Sequence, residues 1–214
     1  MLQPNRLTRC IICFAVLSLA ACTAVRPQLS GFIDGYDRLN PSPELDDSLV
    51  WYNPSKSLSL YKMISLDPVQ VIVSKQAETA PDETSMKQLA QSLEEQLRAV
   101  MGQSYPMVDH GGFGVMRARV AITNVNPDKS PLGLSSPKSM FGLDLQNAFL
   151  EVEMLDTQSG ERVMALVNLH QGGDYRKPAG AKLFRDPRDI LRSWAVLLRD
   201  SLDQTRGLHR TDSF

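Results

Sequence analysis

Apolar and polar positions follow no clear period over the first sixty or so residues, and then they become regular. From Asp67 to Ser74 they alternate, with Val69, Val71 and Val73 on one side, which predicts a half-buried strand. Ala80-Pro81-Asp82 then opens a helix that runs to about Met101 and stops at Gly102. Its residues Met86, Leu89, Ala90, Leu93, Leu97 and Val100 fall at three- and four-residue steps and form one apolar stripe. Met107-Val108 and Gly114 to Thr123 flank the turn Asp109-His110-Gly111-Gly112, which predicts a hairpin. Asn147 to Asp156 and Glu161 to His170 flank Thr157-Gln158-Ser159-Gly160 and predict a second. Asp186-Pro187-Arg188-Asp189 supplies an N-cap, a proline suited to the first helical position and an acid for the positive helix end. The helix it opens carries Ile190, Leu191, Trp194, Leu197, Leu198 and Leu202 on its buried side, and Gly207 ends it.

Strand, helix, four strands in two hairpins, helix: this order predicts an α+β fold. The expected architecture is an antiparallel or mixed sheet of about five strands with two helices packed on one face, plus an irregular N-terminal arm. On one strand Met116, Ala118, Val120 and Ile122 face the helices while Arg117 and Arg119 face away. On another, Ala148, Leu150, Val152 and Met154 face the helices while Glu151 and Glu153 face away. If the two strands are neighbours, two arginines lie across from two glutamates in an exposed ion-pair ladder. The arm, residues 23–62, is rich in turn formers but carries Phe32, Tyr36, Leu39, Trp51, Tyr52 and Tyr61, too many aromatics for a bare linker.

Composition changes the picture mainly at the N-terminus. All three cysteines, Cys10, Cys13 and Cys22, lie in the first 22 positions. Arg6 and Arg9 precede an uncharged apolar run, Ile11 to Leu19, that is too short to span a bilayer as a helix. Leu19-Ala20-Ala21-Cys22 then resembles the recognition box of bacterial lipoproteins, with small residues before a cysteine that takes a diacylglycerol. The reading divides the chain into a signal peptide (1–21), a lipidated N-terminus with the irregular arm (22–62) and a periplasmic α+β domain (63–214). Loss of residues 1–21 removes the two arginines and no acid from 23 bases and 24 acids, so the remainder is slightly acidic. No clustered basic stripe is present, which argues against nucleic acid as a partner. Thr23 stands where an aspartate would favour retention in the inner membrane, so the expected address is the periplasmic side of the outer membrane.

Candidate chemistry is sparse. Glu151 and Glu153 share a strand face, as a general acid and base require, but Arg117 and Arg119 opposite them would hold both ionised. His110, His170 and His209 have no metal-ligand spacing, and neither a metal nor a cofactor is expected. Gly111-Gly112-Phe113-Gly114 has no helix after it to present amides to a phosphate. The segment from Asn124 to Gln146 is broken by prolines and glycines yet carries Leu132, Leu134, Met140 and Phe141, with Leu143 and Leu145. Those side chains either fold back to plug the sheet edge or meet a partner or lipid surface. Met116, Ile122, Met154, Trp194 and Leu198 either line a ligand pocket or fill a plain core.

Ser30-Gly31-Phe32 with Tyr36 and Leu39 resembles the opening motif of an envelope lipoprotein family, catalogued as domain of unknown function 3313. Trp51-Tyr52 with Pro54, Tyr61, Asp67-Pro68-Val69, Arg119 to Thr123, Glu151 with Asp156, Ser159-Gly160-Glu161 and Trp194-Ala195 extend the resemblance over nearly the whole mature chain. Asp34-Gly35 reverses the family's usual order, and Asp37 replaces a serine. The resemblance implies a Gram-negative envelope lipoprotein and brings no catalytic residues with it. The expected function is a non-enzymatic, lipid-anchored module that contacts another envelope protein through residues 30–62 and 124–146. Its rivals are a small-ligand or lipid-binding protein, and a hydrolase of envelope polymers that uses Glu151 or Glu153 with Asp156.

Overall fold

The computed structural model describes residues 29–129, 139–169 and 187–205. The expected export segment with Leu19, Ala20, Ala21 and Cys22, the loop residues Leu132 and Leu134, and Asp186 lie outside the described residues. The elements run β1 (Asn40–Pro41), β2 (Ser48–Tyr52), β3 (Met63–Leu66), β4 (Gln70–Val73), α1 (Glu83–Met101) and β5 (Val115–Pro127). Then follow β6 (Ser139–Met140), β7 (Leu143–Asp144), β8 (Phe149–Asp156), β9 (Arg162–Asn168) and α2 (Pro187–Gln204). Both helices and a mixed sheet are present, and the α+β class holds. The sheet has nine strands, more than the five or so expected, in the order β1-β2-β9-β8-β5-β7-β6, with β3 and β4 also on β5.

Besides the short β6–β7 pair, which adds two strands within the segment expected to be irregular, three differences separate this sheet from the expected one. First, the arm is not irregular throughout: β2 pairs antiparallel with β9, from Ser48↔Asn168 to Tyr52↔Met164, and β1 extends that edge. Second, the strand expected over Asp67–Ser74 is confined to β4, and β3 is a further strand before it. Pro68 has no N–H to give a neighbour, so β3 and β4 lie on either side of it, both parallel to β5. The break is bridged by α1, whose Glu94 Oε1 accepts from the Val69 amide at 2.8 Å. Third, Met107-Val108 does not form a hairpin with β5. The Ile64 amide donates to the Pro106 carbonyl and the Val108 amide to the Ile64 carbonyl, so β3 lies between that segment and β5. The turn from Asp109 to Gly114 therefore arches over the end of β3. The second hairpin forms as expected, β8 with β9, closed by Gly160 at φ 71°.

The helices follow their stripes. Asp82 caps α1 by accepting from the Ser85 amide at 2.9 Å, and Leu89, Leu93, Leu97 and Val100 are buried. On α2 all six predicted stripe residues are buried. Against them pack Met116, Ala118, Val120 and Ile122 of β5 and Leu150, Val152 and Met154 of β8, in one apolar core. Each such aliphatic side chain withdrawn from water contributes about 1.5–3 kcal/mol. A second, smaller apolar cluster lies on the opposite side of the sheet, where Ile33 and Leu39 of the arm cover Ala165 and Val167 of β9. Among the described residues, no helix is long and apolar enough to cross a membrane.

Candidate functional site

The arm-side face is organised by two carboxylates. Thr123 and Glu151 occupy positions of β5 and β8 whose side chains point away from the helices, and the Thr123 hydroxyl donates to Glu151 Oε1 at 2.9 Å. Glu151 is fully buried beneath the segment Ser30 to Tyr36. The Tyr36 hydroxyl donates to Glu151 Oε2 at 2.5 Å and accepts from the amides of Gly31 and Ile33, each at 3.1 Å. The Ser30 hydroxyl accepts from the Phe32 amide at 2.9 Å, closing the turn. Burial, and then the bond to Glu151, hold the Tyr36 phenol above its usual value, so it remains a donor.

Glu153, 4 % exposed, is held by two guanidiniums. Arg119, its partner across β5, donates to Oε2, and Arg162 Nε donates to Oε1 at 2.6 Å. Arg162 Nη1 also donates to the Asp34 carbonyl at 2.6 Å, and Arg119 lies 5.1 Å from the centroid of the Phe32 ring. The expected exposed ladder is thus corrected. Arg119 and Glu153 are cross-strand partners, but Arg117 lies opposite Leu155 and sits 3.7 Å from Asp67 instead. Both glutamates are buried because the arm lies over them, and hydroxyls, rather than an arginine, hold Glu151. The sequence carried the signal in Ser30-Gly31-Phe32 and Tyr36; what it lacked was the face on which that segment lands.

At the N-terminal end of β5 the surface opens. A cleft of about 350 Å³ is lined by Asp67, Asp109, Gly111, Arg117, Asp156 and Thr157, among others. The Thr157 hydroxyl donates to carbonyl oxygen and accepts from the Gly112 amide at 3.0 Å, pinning the 109–114 turn to the β8–β9 turn. A Cβ on Gly111 would come within 2.9 Å of Thr157 Cβ, so only glycine permits this approach. Burial pushes the Asp156 carboxyl up. The amides of Gln158 and Ser159, the Tyr61 hydroxyl and Lys56 outweigh that and bring it to about 2. It is a fixed anion, the opposite of what a general acid needs. The turn that contributes Gly111 to the cleft also carries Phe113, whose side chain is exposed (80 %), as is that of Leu60 (61 %). The backbones that carry them meet, since the Lys62 amide donates to the Gly114 carbonyl at 2.8 Å.

The remaining candidates separate. Met116, Ile122, Met154, Trp194 and Leu198 close on one another in the main core, so they fill space between sheet and helices. Leu143 and Leu145 are buried and Met140 is half-buried against that core, which is the edge-plugging arrangement. Among the described apolar residues of that segment, Phe141 alone is exposed, at 38 %. In the arm, Ile33 and Leu39 pack on the chain's own sheet, while Asp34, Gly35, Asp37 and Arg38 between them are exposed. His110 is exposed in its turn, and His170 and His209 lie outside the described residues. Among the described residues, no group of histidine, cysteine or acidic side chains is arranged to hold a metal ion.

A family model described as "Protein of unknown function (DUF3313)" matches residues 28–198. No curated protein gives a significant match. Among solved structures, the PelC dodecamer from Paraburkholderia phytofirmans is 10% identical, with 71% of this chain and 96% of that one covered at a TM-score of 0.36. A DUF4136 family protein from Bacteroides thetaiotaomicron is 13% identical, with 76% and 98% covered at a TM-score of 0.36. Scores of this size carry neither topology nor function across.

Proposed function

Because the chain belongs to the DUF3313 family, whose members have no assigned function, we propose a role from its own residues: a non-enzymatic accessory module of the bacterial envelope. In this reading Cys22 carries lipid after removal of residues 1–21, and the folded body faces the periplasm from the outer membrane. The body docks on another envelope protein through the N-terminal end of β5. One observation carries the docking surface. Phe113 stands exposed on the turn whose Gly111 lines a polar cleft of about 350 Å³ with Arg117 on its wall, and Leu60 is exposed on the backbone that meets that turn. Aromatic and arginine side chains dominate the energetics of protein interfaces, and burying one phenylalanine contributes about 1.5–3 kcal/mol. The main core makes no use of either exposed side chain.

A photo-crosslinking residue placed at Phe113 or Arg117 in intact cells tests this. The expected product is a single envelope protein linked at both positions and absent from the same probe at Lys87, on the outer side of α1. Equal products at all three positions sink the docking site. A second reading rests on the cleft volume, which lies in the range of small-ligand sites. It predicts a low-mass species retained in native mass spectra and lost on Arg117→Ala.

A further inference from the structure

The two ends of β5 differ in how far they stand from the start of the described chain. Leu29 and Ser30 line one small recess with Ile72, Val73, Lys75 and Asn124, so the chain enters at the C-terminal end of β5. The short β6–β7 hairpin is at the same end, pairing Asp144 with Asn126 and Leu143 with Pro127. Seven peptide steps separate Cys22 from Leu29, an extended reach of about 25 Å at most. Phe113, beyond the other end of β5, is roughly 35 Å from Asn124 at strand rise. A body tethered this way can rest its Asn124 end on a bilayer but cannot stand on its Phe113 end.

The hairpin tip has an unusual residue. Ser139↔Asp144 and Met140↔Leu143 pair around a two-residue turn, Phe141-Gly142, with φ 54° and 73°. Positive φ at both turn positions is type I′ geometry, which suits Asn-Gly, and a bulky side chain at the first position is out of place there. Here that position presents a half-exposed ring, while its neighbours Met140 and Leu143 pack inward. We propose that Phe141 at the β6–β7 tip rests in the lipid surface to which Cys22 is anchored, with the Phe113 cleft held away from it. The proposal rests on the lipid-anchor reading above. It adds which end meets lipid and which side chain makes the contact. Apolar ring burial at the interface would reinforce an anchor already present, because the tether makes the second contact intramolecular.

The experiment uses the full chain, exported and lipidated in cells, then purified into phosphatidylethanolamine and phosphatidylglycerol vesicles. With Cys22 acylated, F141C and F113C each supply one free thiol for an environment-sensitive fluorophore. Circular dichroism verifies that each variant keeps the fold. Lipids brominated on their acyl chains are expected to remove most of the emission at position 141, with a blue shift on vesicle addition. They are expected to leave position 113 unchanged. No quenching at 141, or equal quenching at both, on protein whose intact mass carries lipid overturns this inference alone. An intact mass without lipid on Cys22 overturns the anchor reading and this inference with it.

Discussion

The two faces of the sheet are built from the same two strands and held by different physics. On the helix side, Met116 to Ile122 and Leu150 to Met154 meet two leucine-rich stripes, and the attraction is removal of apolar area from water. On the arm side, Thr123, Arg119, Glu151 and Glu153 meet a short segment through donors and acceptors, with a small apolar patch at its edge. The first tolerates exchange of one aliphatic residue for another of similar size. The second depends on every donor finding its acceptor, because a buried carboxylate that loses one leaves charge without compensation.

The largest effect separating the faces is expected on the helix side. Trp194→Ala empties the middle of the main core and should lower unfolding free energy by about 3–5 kcal/mol in urea titration. Both helices and sheet should melt together. Tyr36→Phe should cost about 1–2 kcal/mol, since the amides of Gly31 and Ile33 and one oxygen of Glu151 lose their partner. Its signature is local: amide exchange accelerates over residues 30–39 and stays slow in β5 and β8. Equal acceleration in both would mean that the arm is not a separate unit of stability.

The third test uses pH. Asp156 is near 2 in the folded chain and near 4 when unfolded, so the unfolded chain takes its proton first as pH falls. Its contribution is present above about pH 4 and is lost toward pH 2, by about 1 kcal/mol after solvent screening. Asp156→Asn should remove that part of the acid-limb slope. The phenol of Tyr36 works the other way: its value is raised, so its contribution is complete below pH 10 and is lost as pH climbs through the higher folded-state value, with release of the arm. The smallest effect is a gain. Phe141→Asn relieves a left-handed residue and should stabilise the chain by about 0.5–1 kcal/mol in thermal melts.

Legibility followed the same division. The stripes of both helices and the inward faces of β5 and β8 could be read from spacing, because periodicity is a property of one short segment. The interruption at Pro68, the strand β3 between Met107 and β5, and the pairing of β2 with β9 could not, because each depends on a segment elsewhere in the chain. For the candidate site the residues were visible and their assembly was not. Tyr36, Glu151 and Glu153 stood out, but an exposed ladder and a buried one have the same alternation until something is known to lie on top. Phe113 was passed over because a turn with three glycines explains itself without its aromatic neighbour.

Pairing of β2 with β9 has a consequence in time. Trp51 and its partner Ala165 are more than a hundred residues apart, so the segment Ser48–Tyr52 leaves a ribosome or a translocation pore long before its neighbour exists. Closing a loop of that length opposes the encounter by about 4 kcal/mol. Until that encounter, an apolar strand with unsatisfied amides stays open to anything that binds edges, chaperones included.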